Sequence, residues 1–196
     1  MSLEYAILGF LSERPRTGYD LKTRCFDDTL DGLWPADQAQ IYRTLDRLSK
    51  AKLIASRRRR QAGKPDQRIY ELTPEGRWAL DAWLAEPTSP PAVRDPLHLQ
   101  IYFGHRTPDA SLVAVLRAAR DQHQARLDSL RGHAGQLVGV ANEGERSGVL
   151  RQTAFDGAIA LERATIDWLD DCIDAVEKGA LPGSAAGIGQ RQLFGS

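Results

Sequence analysis

The sequence predicts a mainly α-helical protein with one small β-hairpin, divided into an N-terminal domain and a long helical hairpin. Three observations predict it. Residues 1–85 combine short helical patterns with a single pair of β-like runs around a Gly/Pro/Asp turn. Residues 86–96 (EPTSPPAVRDP) hold four prolines and read as a linker. Residues 97–179 carry two long apolar stripes with steps of three and four, the spacing of packed helices. The last stretch, 180–196 (ALPGSAAGIGQRQLFGS), is rich in small residues and reads as a flexible tail.

The first helical pattern, 3–12 (LEYAILGFLS), is apolar almost all round, so it is expected to be buried on both sides, in a core or at a contact with a second copy. Arg14-Pro15-Arg16-Thr17-Gly18 is a turn signal. A second helical pattern covers 19–28. The third, 36–51 (ADQAQIYRTLDRLSKA), places Ile41, Leu45 and Leu48 on an inward stripe. At 100° per residue Gln40, Arg43, Arg47 and Lys50 share the opposite face. Arginine bidentate to guanine and glutamine bidentate to adenine are the common major-groove pairings, although a solvated helix face would look the same.

Residues 53–73 then form a hairpin pattern around Gly63-Lys64-Pro65-Asp66. Alternate residues of a strand face opposite ways, so Arg57, Arg58, Arg59 and Arg60 put charge on both faces, and that part must project into solvent. Its base is anchored by Ile54, Tyr70 and Leu72. A ribbon with arginines on both faces suits a phosphate backbone. Thr73-Pro74-Glu75 starts another helix: N-cap, Pro at N1, acid in the first turn. The order helix, helix, amphipathic helix, basic hairpin, helix is a winged helix-turn-helix layout, with the third helix in the major groove and the hairpin as wing.

Charge supports this. The chain of 196 residues is neutral overall, yet residues 41–77 hold 11 Lys+Arg against 4 Asp+Glu. A basic segment on a neutral chain points to a local polyanion site. At 42% hydrophobic and 27% charged, the composition is that of an ordinary globular protein. No apolar run reaches the roughly 18 residues of a membrane span, and MSLEYAILGFLSE lacks the basic start and cleavage site of a signal peptide, so a cytoplasmic protein is expected. Cys25 and Cys172 match no disulfide or zinc pattern and read as buried thiols.

These residues carry a resemblance. Leu8-Gly9, Thr17-Gly18-Tyr19-Asp20-Leu21, Gln40-Ile41-Tyr42-Arg43-Thr44-Leu45, Leu48, Leu53-Ile54 and Tyr70-Glu71-Leu72-Thr73-Pro74-Glu75-Gly76 resemble the PadR family of bacterial transcriptional regulators. The C-terminal half looks, more loosely, like the virulence-activator type of PadR C-terminal domain. The resemblance implies a dimeric regulator, more often a repressor, on a palindromic operator of double-stranded DNA. Gln40, Arg43 and Arg47 would meet bases; Arg57 to Arg60, Lys64 and Arg68 would meet phosphates, with Tyr19, Tyr42 and Lys50 as further backbone contacts. The chain departs from the family at Ala39 and Lys52, where small residues and Gly are usual, and at Ala36, where a hydroxyl cap is usual. Lys52 would then have to end its helix in a left-handed conformation.

In the C-terminal half, Leu97–Phe103 reads as a short helix and Thr107-Pro108-Asp109 as a helix start. Leu112, Leu116, Ala119, His123, Leu127, Leu130, Ala134 and Leu137 form one stripe; Phe155, Ile159, Glu162, Ile166, Leu169, Ile173 and Val176 form the other. Each helix would be about 45 Å long. Near-heptad spacing favours coiled-coil packing, and a lone hairpin leaves apolar surface for a second copy, so a homodimer through these helices and the first helix is expected. His123 and Glu162 are polar members of the stripes. Two readings compete: a buried His–Glu pair, or rotation of both to the stripe edge, the commoner outcome. The resemblance implies a cavity for flat aromatic effectors, for which Tyr102, Phe103, Phe155 and Trp168 are candidates; plain packing is their commoner role. No catalytic constellation, metal-ligand spacing or cofactor motif is present, so no enzyme is expected. The competing binding reading is a protein-interaction module that kept the winged-helix shape.

Overall fold

The computed structural model describes residues 2–30, 32–61, 64–89, 94–138 and 146–179. The chain divides into two compact units, Met1–Pro91 and Ala92–Ser196. The turn at 62–63, the side chains of Arg60 and Lys64, part of the Pro-rich linker and the tail 180–196 lie outside what is described.

The first unit runs α1 (Ser2–Glu13), β1 (Arg16–Thr17), α2 (Gly18–Asp20), a π-helix (Leu21–Asp27), α3 (Gln38–Lys50), β2 (Ile54–Gln61), β3 (Lys64–Leu72) and α4 (Pro74–Ala85). Its core joins Ile7, Leu8 and Leu11 of α1, Leu21, Cys25 and Phe26 of the π-helix, Ile41, Leu45 and Leu48 of α3, Ile54 and Tyr70 of the sheet, and Leu80 of α4. Leu3, Tyr5, Ala6 and Phe10 also pack on this core while part exposed, as a helix apolar on all sides should when one face is left over. Tyr5 stacks on Trp83, with ring centroids 4.6 Å apart, and ties α1 to α4. Burial pushes the Cys25 thiol up to about 11, so it stays protonated and unreactive at neutral pH.

Two local readings need correction. The second helical pattern is helical but is wound as a π-helix over Leu21–Asp27, with Asp28 N–H donating to Thr23 O at 3.0 Å and Leu30 N–H to Cys25 O at 2.9 Å. The turn at 14–18 contains a third strand. β1 pairs antiparallel with β3 (Arg16 opposite Tyr70, Thr17 opposite Ile69), which gives the sheet order β1-β3-β2. Two residues are too few to leave a period-2 signal, so this strand exists only because β3 offers it an edge. Arg16 is buried there, with its guanidinium over the Phe10 ring, Nε donating to Phe10 O and Nη2 to Glu13 Oε2 at 2.8 Å.

The ends of α3 follow side-chain chemistry. Ala36 is not its cap. Asp37 is, accepting from Gln40 N–H at 2.7 Å, while Gln40 Oε1 accepts from Asp37 N–H at 3.4 Å, so the missing hydroxyl at 36 costs nothing. At the other end Leu53 N–H reaches Leu48 O and Lys52 N–H reaches Ser49 O, the paired bonds of a Schellman stop. Lys52 pivots this stop at φ 60°, as the departure from glycine requires. Thr73 Oγ1 donates to Lys52 O at 2.8 Å and Thr73 caps α4, accepting from Gly76 N–H at 3.0 Å. A Cβ on Gly76 would lie 2.0 Å from Leu53 O, so only glycine lets α4 start this close to the end of α3.

The second unit holds α5 (Pro96–Tyr102), a 3₁₀ turn (Gly104–Arg106), α6 (Asp109–Val138) and α7 (Arg146–Lys178). α7 starts a few residues earlier than the Gly-rich break suggests. α6 and α7 lie antiparallel, clasped by Arg117–Glu177 at 2.6 Å and Arg120–Asp170 at 2.9 Å. The stripes meet as their periodicity demands: Leu116, Leu127, Leu130 and Ala134 face inward on α6, and Phe155, Ile166, Leu169 and Ile173 on α7. The stripe-edge reading of His123 and Glu162 is overturned. Glu162 is 8% exposed, accepts from His123 Nδ1 at 2.6 Å and meets Arg126 Nε at 3.0 Å. A carboxylate inside an apolar seam persists only with such partners.

Two substitutions probe these features. Lys52→Gly removes a left-handed side chain and should raise stability by about 0.5–1 kcal/mol in chemical denaturation; a decrease instead would mean the lysine side chain packs productively at the stop. Glu162→Ala strands His123 and Arg126 and should cost about 1–3 kcal/mol in helix melting followed by circular dichroism; an unchanged midpoint would show the carboxylate to be solvated.

Candidate nucleic-acid interface

α3 and the hairpin place the basic residues. Ile41, Thr44, Leu45 and Leu48 are buried, which turns Gln40, Arg43, Arg47 and Lys50 outward. These four are not equivalent. Gln40 is engaged in the Asp37 capping box. Arg47 is ion-paired through Nε with Glu4 of α1. Arg43 is exposed, and no carboxylate of the described residues pairs with it, so it is the guanidinium of this face most available to a ligand.

The register of β2 and β3 sorts the wing by face. Ile54 lies opposite Leu72, Ser56 opposite Tyr70 and Arg58 opposite Arg68; these positions share the face that enters the core at its base. Arg57 lies opposite Ile69 and Arg59 opposite Gln67 on the other face. Along one face, then, apolar residues give way to arginine as the hairpin leaves the core. The Arg58–Arg68 pair sets like charges directly across two strands, which destabilises an isolated hairpin and is relieved by an anion between them. Arg68 is already oriented: Nε donates to Ser56 Oγ at 2.9 Å and its guanidinium lies 5.3 Å from the centroid of the Tyr70 ring. Arg57, Arg58 and Arg59 are exposed. Tyr19, 68% exposed on α2, and Tyr42, 39% exposed on α3, flank this surface. With Arg68 and Tyr70 they line an open notch of about 260 Å³.

Sequence reasoning missed Gly18. A Cβ there would stand 2.7 Å from Tyr42 Cε1, so the phenol of α3 lies against bare backbone of α2. The Thr-Gly-Tyr motif marked the position but carries no hint of its partner 24 residues away.

The four candidate pocket residues of the C-terminal half are not brought together. Phe155 is 2% exposed in the α6–α7 seam. Trp168 lies thirteen positions further along α7, about 20 Å along the axis, and stacks on His98 with centroids 5.0 Å apart. Tyr102 and Phe103 form an edge-on pair, both exposed. A second seam, hidden in the sequence behind the two buried stripes, runs along the outside of α7: Leu150, Ala154, Gly157, Leu161 and Ala164 follow steps of 4, 3, 4 and 3 and are all exposed, Leu161 by 72%. Among the described residues no cluster of His, Cys, Asp and Glu could hold a metal, and no helix is long and apolar enough to cross a membrane.

Comparison with known proteins agrees with this geometry. The model of the transcriptional regulator PadR-like family matches residues 7–82, and that of the virulence activator alpha C-terminal domain matches 93–177. A probable transcriptional regulator of Mycobacterium tuberculosis, Rv1176c, is 30% identical over 188 residues, covering 91% of this chain and 99% of its own. The crystal structure of Bacillus subtilis PadR in complex with operator DNA superposes with a TM-score of 0.75 at 26% identity, over 90% of this chain and 99% of that one. The same protein has been crystallised with p-coumaric acid, and that structure superposes at 0.73 with 26% identity, over 89% and 95% of the two chains. The Vibrio cholerae virulence activator AphA shares the fold, with a TM-score of 0.73 at 22% identity over 91% and 99%.

Proposed function

Because the chain belongs to the PadR-like family of transcriptional regulators, which are non-enzymatic DNA-binding proteins, we propose that it is a dimeric, sequence-specific repressor that reads a palindromic operator with α3 and grips the flanking phosphates with its wing. The observation that carries this reading is the division of labour on the basic surface. Arg43 stands uncommitted at the centre of the exposed face of α3, while Arg58 and Arg68 face each other across the wing where a phosphate would relieve them. Gln40 and Arg47 join Arg43 at the bases once DNA competes for the capping box and the Glu4 pair. Arg57, Arg59, Arg60, Lys64 and Lys50 add to the phosphate-facing charge. The sign of regulation is supported by the naming of Bacillus subtilis PadR, 28% identical, as a negative transcriptional regulator.

The dimer rests on the outer seam of α7. Leu150, Ala154, Gly157, Leu161 and Ala164 repeat every 3.5 residues, and their small members permit close helix approach to a second copy. The part-exposed apolar side chains of α1 offer the partner copy a separate surface on the first unit. A small aromatic effector is proposed to release the operator. Its support is the relative crystallised with p-coumaric acid.

The test is fluorescence anisotropy with the operator duplex and a scrambled one across a salt series. Arg43→Ala should cost about 1–3 kcal/mol on the operator and little on scrambled DNA; equal losses on both would remove its base-reading role. Arg58→Ala with Arg68→Ala should weaken both duplexes and flatten the salt slope by about 0.9 for each phosphate no longer neutralised; an unchanged slope would take the wing out of the interface. Leu161→Glu should convert the dimer to monomer in sedimentation velocity, and a persisting dimer would place the interface elsewhere.

A further inference from the structure

Glu4 breaks the pattern of its own helix. The residues of α1 that enter the core are Ile7, Leu8 and Leu11. Positions 4, 7, 8 and 11 follow the i, i+3, i+4, i+7 spacing of one helix face, so position 4 begins this stripe and calls for an apolar residue. It holds a carboxylate instead. The Glu4 side chain is 21% exposed and pairs with Nε of Arg47, whose own side chain is 60% exposed. The partner is not local. Asp46 adjoins Arg47 in sequence, yet Arg47 pairs with a residue of another helix, 43 positions away.

Stability does not account for the pair. A leucine at position 4 would complete the stripe, and replacing a part-buried ion pair with apolar side chains is often neutral or stabilising. The dipole of α1 does not account for it either: an acid in the first turn complements the helix start while facing water, and needs no guanidinium. What the pair does achieve lies on α3. Among the four outward residues of this helix, Arg47 is the one whose charge is met by a carboxylate of the described residues. Arg43 and Lys50 are exposed and have none there.

We propose that Glu4 is an intramolecular competitor of DNA: its carboxylate occupies Arg47 in the free protein and must be displaced before that arginine reaches a duplex. Glu4 is then a positioning residue that sets affinity through Arg47. The inference rests on the DNA-binding reading above and deepens it. The exchange is unequal on different DNA. A phosphate offers Arg47 one anion for another, so on arbitrary sequence little is gained by leaving Glu4. A guanine edge takes a guanidinium in bidentate fashion and discriminates by about 5- to 150-fold, against about 5-fold at most for an exposed ion pair. Arg47 is therefore recruited at the operator and held back elsewhere. Because the pair is broken wherever Arg47 is used, the competitor does not widen the ratio of operator to non-operator affinity. It lowers affinity, and so keeps the complex easier to release.

The experiment is a double-mutant cycle on the full chain, with Glu4→Gln and Arg47→Ala singly and together. Affinity is read for an operator duplex selected from random sequence and for a scrambled one, across a salt series. Glutamine keeps the size and an acceptor and removes the charge. Glu4→Gln should bind both duplexes more tightly, by up to about 5-fold, with the slope on scrambled DNA steeper by about 0.9 as the freed arginine neutralises one more phosphate. Arg47→Ala should cost more in the Glu4→Gln background than in the wild type, since no pair then offsets the lost contact. A mere clamp between α1 and α3, or a buttress for the guanidinium, predicts weaker binding in Glu4→Gln; that loss, or unchanged binding, would overturn the competitor. So would a gain undiminished in the Arg47→Ala background, which reports only the removed charge, or equal costs of Arg47→Ala in both backgrounds. Each of these leaves the DNA-binding reading intact, whereas a wild-type protein that enriches and prefers no duplex would overturn both. Should Glu4→Gln fail to fold, Glu4→Leu, which completes the stripe, carries the same expectations.

Discussion

The placement of every exposed basic group on α3 depends on burying one stripe, Ile41, Thr44, Leu45 and Leu48, against α1 and the π-helix. Burying each of the three aliphatic side chains contributes about 1.5–3 kcal/mol, and together they fix the rotation of α3 about its axis. Once that rotation is set, Arg43 can only face outward. The helix is also fixed along its axis, by the Asp37 box at one end and the Schellman stop at Lys52 at the other. Because the stop is hydrogen-bonded to Thr73 and crowded by Gly76, the same few residues position the base of the wing and the start of α4. Recognition helix and wing are thus parts of one rigid arrangement rather than two appendages.

The cost of this arrangement is electrostatic. Four consecutive arginines, and the Arg58–Arg68 pair across the strands, leave like charges close together in the free protein. Arg57, Arg58 and Arg59 are exposed, so water screens their repulsion in the free protein. Two other arginines are managed differently. Arg16 is buried against Phe10 and Glu13, and Arg47 is paired with Glu4, so neither is available without breaking an internal interaction. Charge count alone treats all these residues alike; their surroundings separate them.

The second unit uses polar groups in the opposite sense. Glu162 sits in the apolar seam between α6 and α7 because His123 and Arg126 of the facing helix satisfy it, and such a group at one level fixes the register of two helices that leucine and isoleucine alone would allow to slide. The outer seam of α7 carries no such device and is built of small and apolar residues. One face of the helix specifies its partner within the chain, and the other is suited to a second copy.

What could be read from the chain alone is what periodicity and capping encode, because both are properties of neighbours in sequence. The α3 stripe, the two stripes of the arm, the Thr73-Pro74 helix start, the arginines projecting on both faces of the wing and the left-handed Lys52 all belong to this class. What only the tertiary structure decided depends on residues far apart. Arg43 has no carboxylate partner among the described residues while Arg47 has one, because Glu4 is 43 positions away in sequence and adjacent in space. The strand at Arg16–Thr17 exists only because β3 passes beside it. Gly18 is set against the ring of Tyr42, and Glu162 against His123, at separations no local pattern spans. Periodicity tells which side of an element is buried; which groups then meet across the gap is set by how the elements pack, and on α3 that packing separates Arg43 from the groups the fold has already engaged.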